Sequence, residues 1–321
     1  MNQPNILFLT ESREDYLADS LLHGLISLGC HITDYPRKDI LYSASEMSNN
    51  PSPTIRGHGF TLYGLLEDRD IDRTLVIQKL QAGFYELVIV GQIWRQWGQF
   101  LDIARHVRNT KVVLLDGDDD PRIFHHSLSR IRLYGLQPMP IPTDSLYYFK
   151  RELLRYSSYP YIFPISFSIP DTKILHSDTP KSRTFATHCV DEEVSSILKL
   201  KSNYAFADEP SYYYNLHTSK YAITTKRGGW DCLRHYEIAA AGALMCFKNL
   251  LSKPQSCAPH GLVPNLNCIS YRNYTDLQAQ IDSIEANPYR YHELVQNQNH
   301  WILSKTTSAV ALSLLNTVGF S

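Results

Sequence analysis

Two short runs, Leu87 to Val90 (LVIV) and Lys111 to Leu115 (KVVLL), constrain the fold more than any other feature of this chain. Neither alternates apolar with polar residues, so neither suits a strand with one wet face. Each suits a strand covered on both faces, as in a parallel sheet. Helical patterns separate these runs from their neighbours. Asn5–Thr10 reads as a strand, Glu14–Leu28 as a helix closed by Gly29, and Cys30–Tyr35 as a second strand. Ile71–Ala82 reads as a helix ended by Gly83, and Trp94–Val107 as another. Regular alternation of strand and helix predicts an α/β fold of Rossmann-like, doubly wound domains.

At 321 residues the chain is long enough for two such domains. Composition shifts between Pro138 and Pro180, where Pro138, Pro140, Pro142, Pro160, Pro164 and Pro170 punctuate short pieces around a helix expected over Phe149–Tyr156. Earlier, Ser43–Thr54 reads as an irregular loop. The organisation expected is an N-terminal domain over 1–168, a second over 169–300, and a final helical segment, 301–321, packing across both. Two such domains leave a cleft at the carboxyl ends of their strands, where α/β sheets bind ligands.

The bulk properties exclude some partners. A net charge of −1 gives no electrostatic reason to expect nucleic acid or an anionic membrane surface. No apolar run is long enough to cross a bilayer, and no basic leader precedes the first strand. The six cysteines contain no C-x-x-C pair and read as thiols in a reducing compartment. A cytoplasmic enzyme or binding protein is expected, and its oligomeric state is not legible. His188-Cys189 with Asp191, and the pair His125-His126, lack zinc-ligand spacing. His58, between Gly57 and Gly59, lies in a loop that would suit an acceptor-side lid. The clusters Tyr147-Tyr148 and Tyr212-Tyr213-Tyr214 suit half-buried packing or stacking on a sugar or base.

Residues 224–247 carry the most chemistry. A strand over Lys220–Thr224 enters a loop with Gly228 and Gly229, and Asp231 stands where an N-cap is expected. The following helix carries Arg234 and Glu237 one turn apart and ends at Gly242. A glycine loop feeding a helix N-terminus suits an anion, because free amides and the helix dipole face it. The glycines would allow positive φ and close approach to a diphosphate, with Lys226 and Arg227 neutralising charge on a leaving nucleotide. Arg234 and Glu237 form either an intrahelical ion pair or, given the packed Ala239-Ala240-Ala241-Gly242 that follows, a phosphate contact and a ribose contact.

The run from Ser219 to Thr224, then Gly-Gly-Trp-Asp at 228–231, then Arg234-x-x-Glu237-x-x-Ala240-x-Gly242, resembles the donor-binding segment of GT-B glycosyltransferases, most nearly their bacterial CgeB-like, spore-maturation branch. Asn267–Tyr271 with Tyr274–Leu277 is similar to the strand and helix that close that domain. Tyr148–Glu152 and Pro164–Phe167 look like linker pieces of related proteins. The resemblance spans about 145–290. It implies a GT-B-like fold and sugar transfer from a nucleotide-sugar co-substrate to an acceptor hydroxyl, without a further cofactor or metal. Lys226, Arg227, Gly228, Gly229, Trp230, Asp231, Arg234 and Glu237 would hold the donor. Two departures stand out. Thr10-Glu11-Ser12-Arg13 replaces the glycine-rich first loop, and Trp230 stands seven residues before Glu237, where such motifs place a second glutamate. The second departure favours inversion.

Asp116-Gly117-Asp118-Asp119-Asp120-Pro121 follows the Lys111–Leu115 strand and admits three readings. It is a turn capping a helix that begins near Pro121, a general base drawn from Asp116 or Asp118 with His125 in reserve, or a divalent-metal site. Two other functions therefore stay open: a metal-dependent phosphoryl hydrolase using Asp116 and Asp118, and a non-catalytic nucleotide or sugar binder on a transferase scaffold.

Overall fold

The computed structural model describes residues 3–43, 61–107, 109–123, 145–154, 161–175, 179–201, 206 and 208–320. The loop expected over 43–54 lies mostly outside these residues, as do His58, His125, His126 and Pro138, Pro140, Pro142 and Pro160.

Two parallel sheets organise the chain. The first has six strands: β1 (Asn5–Leu9), β2 (His31–Tyr35), β3 (Leu87–Val90), β4 (Lys111–Asp116), β5 (Leu146–Lys150) and β6 (Ile162–Pro164), in the order β2-β1-β3-β4-β5-β6. All its pairings are parallel. Helices α1 (Tyr16–Ser27), α2 (Val76–Gln81) and α3 (Ile93–Ala104) connect the first four. The second sheet has β7 (Arg183–Phe185), β8 (Ser219–Thr225), β9 (Leu244–Lys248) and β10 (Ile269–Tyr271), ordered β10-β9-β8-β7 and again parallel throughout. Its connections carry α4 (Glu192–Leu198), α5 (Glu209–His217) and α6 (Leu233–Ala240). Helices α7 (Tyr274–Glu285), α8 (Pro288–Leu303) and α9 (Thr307–Thr317) follow.

The bare apolar runs behave as parallel-sheet physics requires: every side chain from Leu87 to Val90 and from Val112 to Leu115 is fully buried. One continuous core joins the two sheets, running from α1 through Phe167 and α6 to Trp301 and α9. Separate clusters cover the far face of each sheet. Helix α9 returns to α1, and Gly24 makes the fit possible, because a Cβ there would overlap the backbone carbonyl of Thr307.

Three local expectations fail. Leu146–Lys150 is strand β5, not the start of a helix over Phe149–Tyr156: pairing Val112–Asp116 with Leu146–Lys150 buries Tyr148 and Phe149, and residues 155–156 lie outside the described set. The C-terminal helical stretch breaks at Ser304–Thr306, where the Thr306 hydroxyl accepts the Ala309 amide and starts α9 afresh. Asp231 does not cap α6. The N-cap position is Cys232, which lends no side-chain hydrogen bond. No described helix is long and apolar enough to cross a membrane.

Candidate functional site

The loops leaving the carboxyl ends of both sheets face one another across a cavity of about 780 Å³. The first sheet contributes Arg13–Tyr16 after β1, Gln92 after β3, Gly117–Asp119 after β4 and Arg151 after β5. The second contributes Thr224–Glu237 around the β8–α6 turn. Such a position is where parallel α/β sheets expose free strand ends and helix N-termini to a ligand.

Seven of the ten expected site residues line this cavity: Asp118, Arg227, Gly228, Gly229, Asp231, Arg234 and Glu237. Three do not. Lys226 lies over the Trp230 ring at 5.4 Å, and Trp230 in turn stacks on Phe247. Asp116 is fully buried at the end of β4, where it accepts from Lys150 Nζ at 2.8 Å and from Tyr148 Oη at 2.5 Å. Burial raises its carboxyl pKa, and the Lys150 ammonium opposes that rise. Asp116 also receives the Asp118 amide, while Lys150 donates to the Asp118 carbonyl. The pair therefore shapes the Gly117–Asp119 turn from below. A phosphoryl hydrolase with Asp116 as nucleophile would need that carboxylate in the cavity. Among the described residues no group of His, Cys, Asp and Glu is arranged to hold a metal ion.

Arg234 and Glu237 do not form the ion pair that their spacing permits. The Arg234 guanidinium donates to two carbonyls, His188 O at 2.6 Å and Ile223 O at 3.4 Å. Its charge has no carboxylate partner among the described residues, nor has that of exposed Arg227. Glu237 instead accepts from Tyr212 Oη and from Thr61 Oγ1, each at 2.5 Å. Burial raises its pKa, while these hydrogen bonds and Arg234 pull it down.

Gly228 and Gly229 are not at positive φ, contrary to the conformational role expected of them. They are needed because carboxylates from the first sheet lie against them. A Cβ on Gly229 would overlap Glu152 Oε1 and come within 2.9 Å of Asp119 Oδ1, and one on Gly228 would overlap Asp119 Oδ2. Arg151 ties these parts together. It donates to the Gly117 carbonyl, to Asp119, to Glu152 Oε1 at 2.9 Å and to the Asp231 carbonyl at 2.9 Å. Glu152 also accepts the Asp231 amide at 3.0 Å. The Asp231 side chain, almost fully buried, accepts the Phe167 amide and the Tyr236 hydroxyl, so at the cavity wall its carboxylate joins the two halves. His235 pins the same loop, bridging Thr224 Oγ1 at 2.9 Å and Trp230 O at 3.0 Å. Its burial lowers the imidazole pKa to about 3.

Arg151, Glu152, His235 and Thr61 are contributors that motif reading passed over. One signal was available for two of them. Lys150-Arg151-Glu152 follows an apolar aromatic run, as Asp116–Asp120 follows β4, and charges at the end of a buried strand point to a sheet mouth.

No protein-family model matches this chain, and no curated protein matches it. Solved structures do match. A glycosyltransferase from Rickettsia africae is 12% identical, covers 99% of this chain and 98% of its own, and superposes with a TM-score of 0.58. Anabaena HepE in complex with UDP-glucose is 10% identical, with 98% of both chains covered and a TM-score of 0.53. Sucrose-phosphate synthase from Thermosynechococcus elongatus is 11% identical over 98% of both, at 0.52. The chain has a GT-B fold. At these identities the likeness concerns the arrangement of the two parallel sheets, and the chemistry has to be argued from the residues that line the GT-B cleft.

Proposed function

We propose that this chain is a glycosyltransferase that moves a sugar from a nucleotide-sugar donor to an acceptor hydroxyl. The observation that carries the reading is the electrostatics of the second half of the cleft. Arg227 and Arg234 line the same cavity as the Gly228–Gly229 turn with two positive charges that have no carboxylate partner among the described residues, and Glu237 stands one helical turn further in. Cationic groups beside backbone amides at a helix N-terminus suit a diphosphate. A carboxylate whose oxygens each accept one hydrogen bond retains capacity for ribose hydroxyls. The HepE complex with UDP-glucose, on the same fold, supports a donor of this class. The resemblance of 219–247 to the CgeB-like branch is part of the same reading.

In this proposal the first sheet presents the acceptor. Of the two carboxylates expected as base, Asp118 has the access. It lines the cavity, and its Oδ1 accepts the Asp120 amide at 2.8 Å, leaving Oδ2 for an acceptor proton. The acceptor oxygen forms the new bond to the anomeric carbon as its proton passes to Asp118. The anomeric carbon–phosphate oxygen bond breaks, its electron pair stays on the diphosphate, and Arg227 and Arg234 stabilise the charge that develops. This is an inverting displacement in which two guanidiniums supply the counter-charge, so no added divalent ion is required.

The test is nucleoside diphosphate release from a panel of nucleotide sugars, with and without EDTA. Release from one donor, undiminished by EDTA and increased by an acceptor, is the expected result. Nucleotide binding without release would make the chain a binder on this scaffold. No binding to any member of the panel would reject the proposal.

A further inference from the structure

Glu237 is held from the first half of the molecule by a chain of hydroxyls. Thr61, fully buried, donates from Oγ1 to Glu237 Oε1 at 2.5 Å across 176 residues of sequence. Its Oγ1 also lies 2.7 Å from Tyr213 Oη. Thr61 has one hydroxyl proton and the carboxylate takes it, so Tyr213 is the donor to Thr61. Tyr212, the next residue, donates to the other carboxylate oxygen and lines the cavity wall. Thr61 does not line the cavity and approaches Glu237 from behind. Its own turn is anchored, since the Gly64 amide donates to Ile40 O at 3.0 Å and the Leu66 amide to Leu41 O at 2.8 Å. The adjacent tyrosines of α5 are thus more than packing, because both hydroxyls converge on one carboxylate, Tyr212 directly and Tyr213 through Thr61.

We infer that Thr61 and Tyr213 are positioning residues that orient the Glu237 carboxylate for a vicinal diol, so that the first half of the chain tunes affinity for the ribose of the donor. This rests on the nucleotide-sugar reading of the cleft. A carboxylate fixed at both oxygens by buried hydroxyls has one orientation, and a ligand that uses its remaining lone pairs avoids the entropy of ordering it. Removing the Thr61 hydroxyl frees one oxygen and leaves the Tyr213 hydroxyl without its acceptor.

The test is calorimetric titration of the full chain with UDP, GDP, ADP and CDP, and with the 2′,3′-dideoxy form of each. Wild type, Thr61→Val, Thr61→Ser and Tyr213→Phe are compared. Thr61→Val is expected to weaken the ribonucleotide that wild type binds by about tenfold. It should leave the dideoxy form within about twofold, Thr61→Ser should restore affinity, and Tyr213→Phe should give a smaller loss of about threefold. Equal weakening of ribo and dideoxy forms would mean that Thr61 supports only the local structure, and would overturn the inference. So would unchanged binding in a folded Thr61→Val. If wild type binds none of the four, the nucleotide-sugar reading fails first and this inference falls with it. Thermal denaturation of each variant separates loss of fold from loss of affinity, and Tyr213→Phe, with its smaller ribose-dependent loss, keeps the question answerable if Thr61→Val does not fold.

Discussion

Replacing Gly229 with alanine is expected to destabilise the chain far more than the same change one residue earlier. The new methyl at 229 would overlap Glu152 Oε1 and approach Glu152 Cδ to 2.6 Å and Asp119 Oδ1 to 2.9 Å. Glu152 has no room to yield, because it is buried and accepts from both Arg151 Nη1 and the Asp231 amide. Overpacking of this kind costs about 1–3 kcal/mol, and giving up a hydrogen bond to a charged group costs about 1.5–3 kcal/mol more. Alanine restricts the unfolded chain and returns about 0.4–1 kcal/mol, since φ at 229 is not positive. The net loss is about 3 kcal/mol. At Gly228 the clash is with Asp119, whose side chain is 53% exposed and can swing into solvent. The cost there is a part-exposed ion pair worth about 0.2–1 kcal/mol, nearly offset by the same entropy gain. Urea unfolding at pH 7.5 measures the difference, with Glu152→Ala as a second background in which the Gly229→Ala penalty should shrink. A Gly229→Ala variant within about 0.5 kcal/mol of wild type would refute the close-packing argument, as would equal losses at 228 and 229.

Other consequences are as direct. Arg234→Met removes a cation that donates to two carbonyls and has no carboxylate partner among the described residues, and should weaken nucleoside diphosphate binding roughly 10- to 100-fold by calorimetry, from the ~1.5–3 kcal/mol of a charge-assisted contact. Asp116→Asn should cost about 3–5 kcal/mol in urea unfolding by leaving Lys150 buried and unpaired. Asp118→Asn should stay close to wild type in stability and lower the transfer rate roughly 10²- to 10⁴-fold. His235 has a folded pKa near 3 against an ordinary 6.5, so its contribution is complete above pH 6.5 and is lost as pH falls toward 3. At pH 5 that loss is about 2 kcal/mol. Asp19, raised to about 6 by burial, acts in the opposite sense over pH 6 to 4. The difference between wild type and His235→Gln therefore isolates the histidine, and His235→Gln should unfold less steeply with acid.

The sheets were legible because burial on both faces writes itself as uninterrupted apolar runs, as in β3 and β4. Strand β5 was not, because Leu146–Lys150 mixes aromatic and charged residues, and its neighbour β4 decides its conformation. In the site, residues close in sequence were legible: the Gly228–Gly229 turn, Arg234 and Glu237 all stand in one loop and helix. What each of them touches was not. Arg234 and Glu237 face partners at His188 and Thr61, and the glycines are small because of Asp119 and Glu152, all distant along the chain. Asp116 shows the same limit. Its place at a strand end suggests catalysis, whereas in the fold it is buried against a lysine from the next strand and does not line the cavity.

A crystal structure with the nucleoside diphosphate that binds best tests the central claim most directly. The account predicts density in the cleft with the diphosphate within hydrogen-bonding distance of Arg234 and the Gly228–Gly229 turn, and the ribose hydroxyls on Glu237. Density for the nucleotide against Arg13–Tyr16 on the first sheet, with Arg234 and Glu237 untouched, would contradict it.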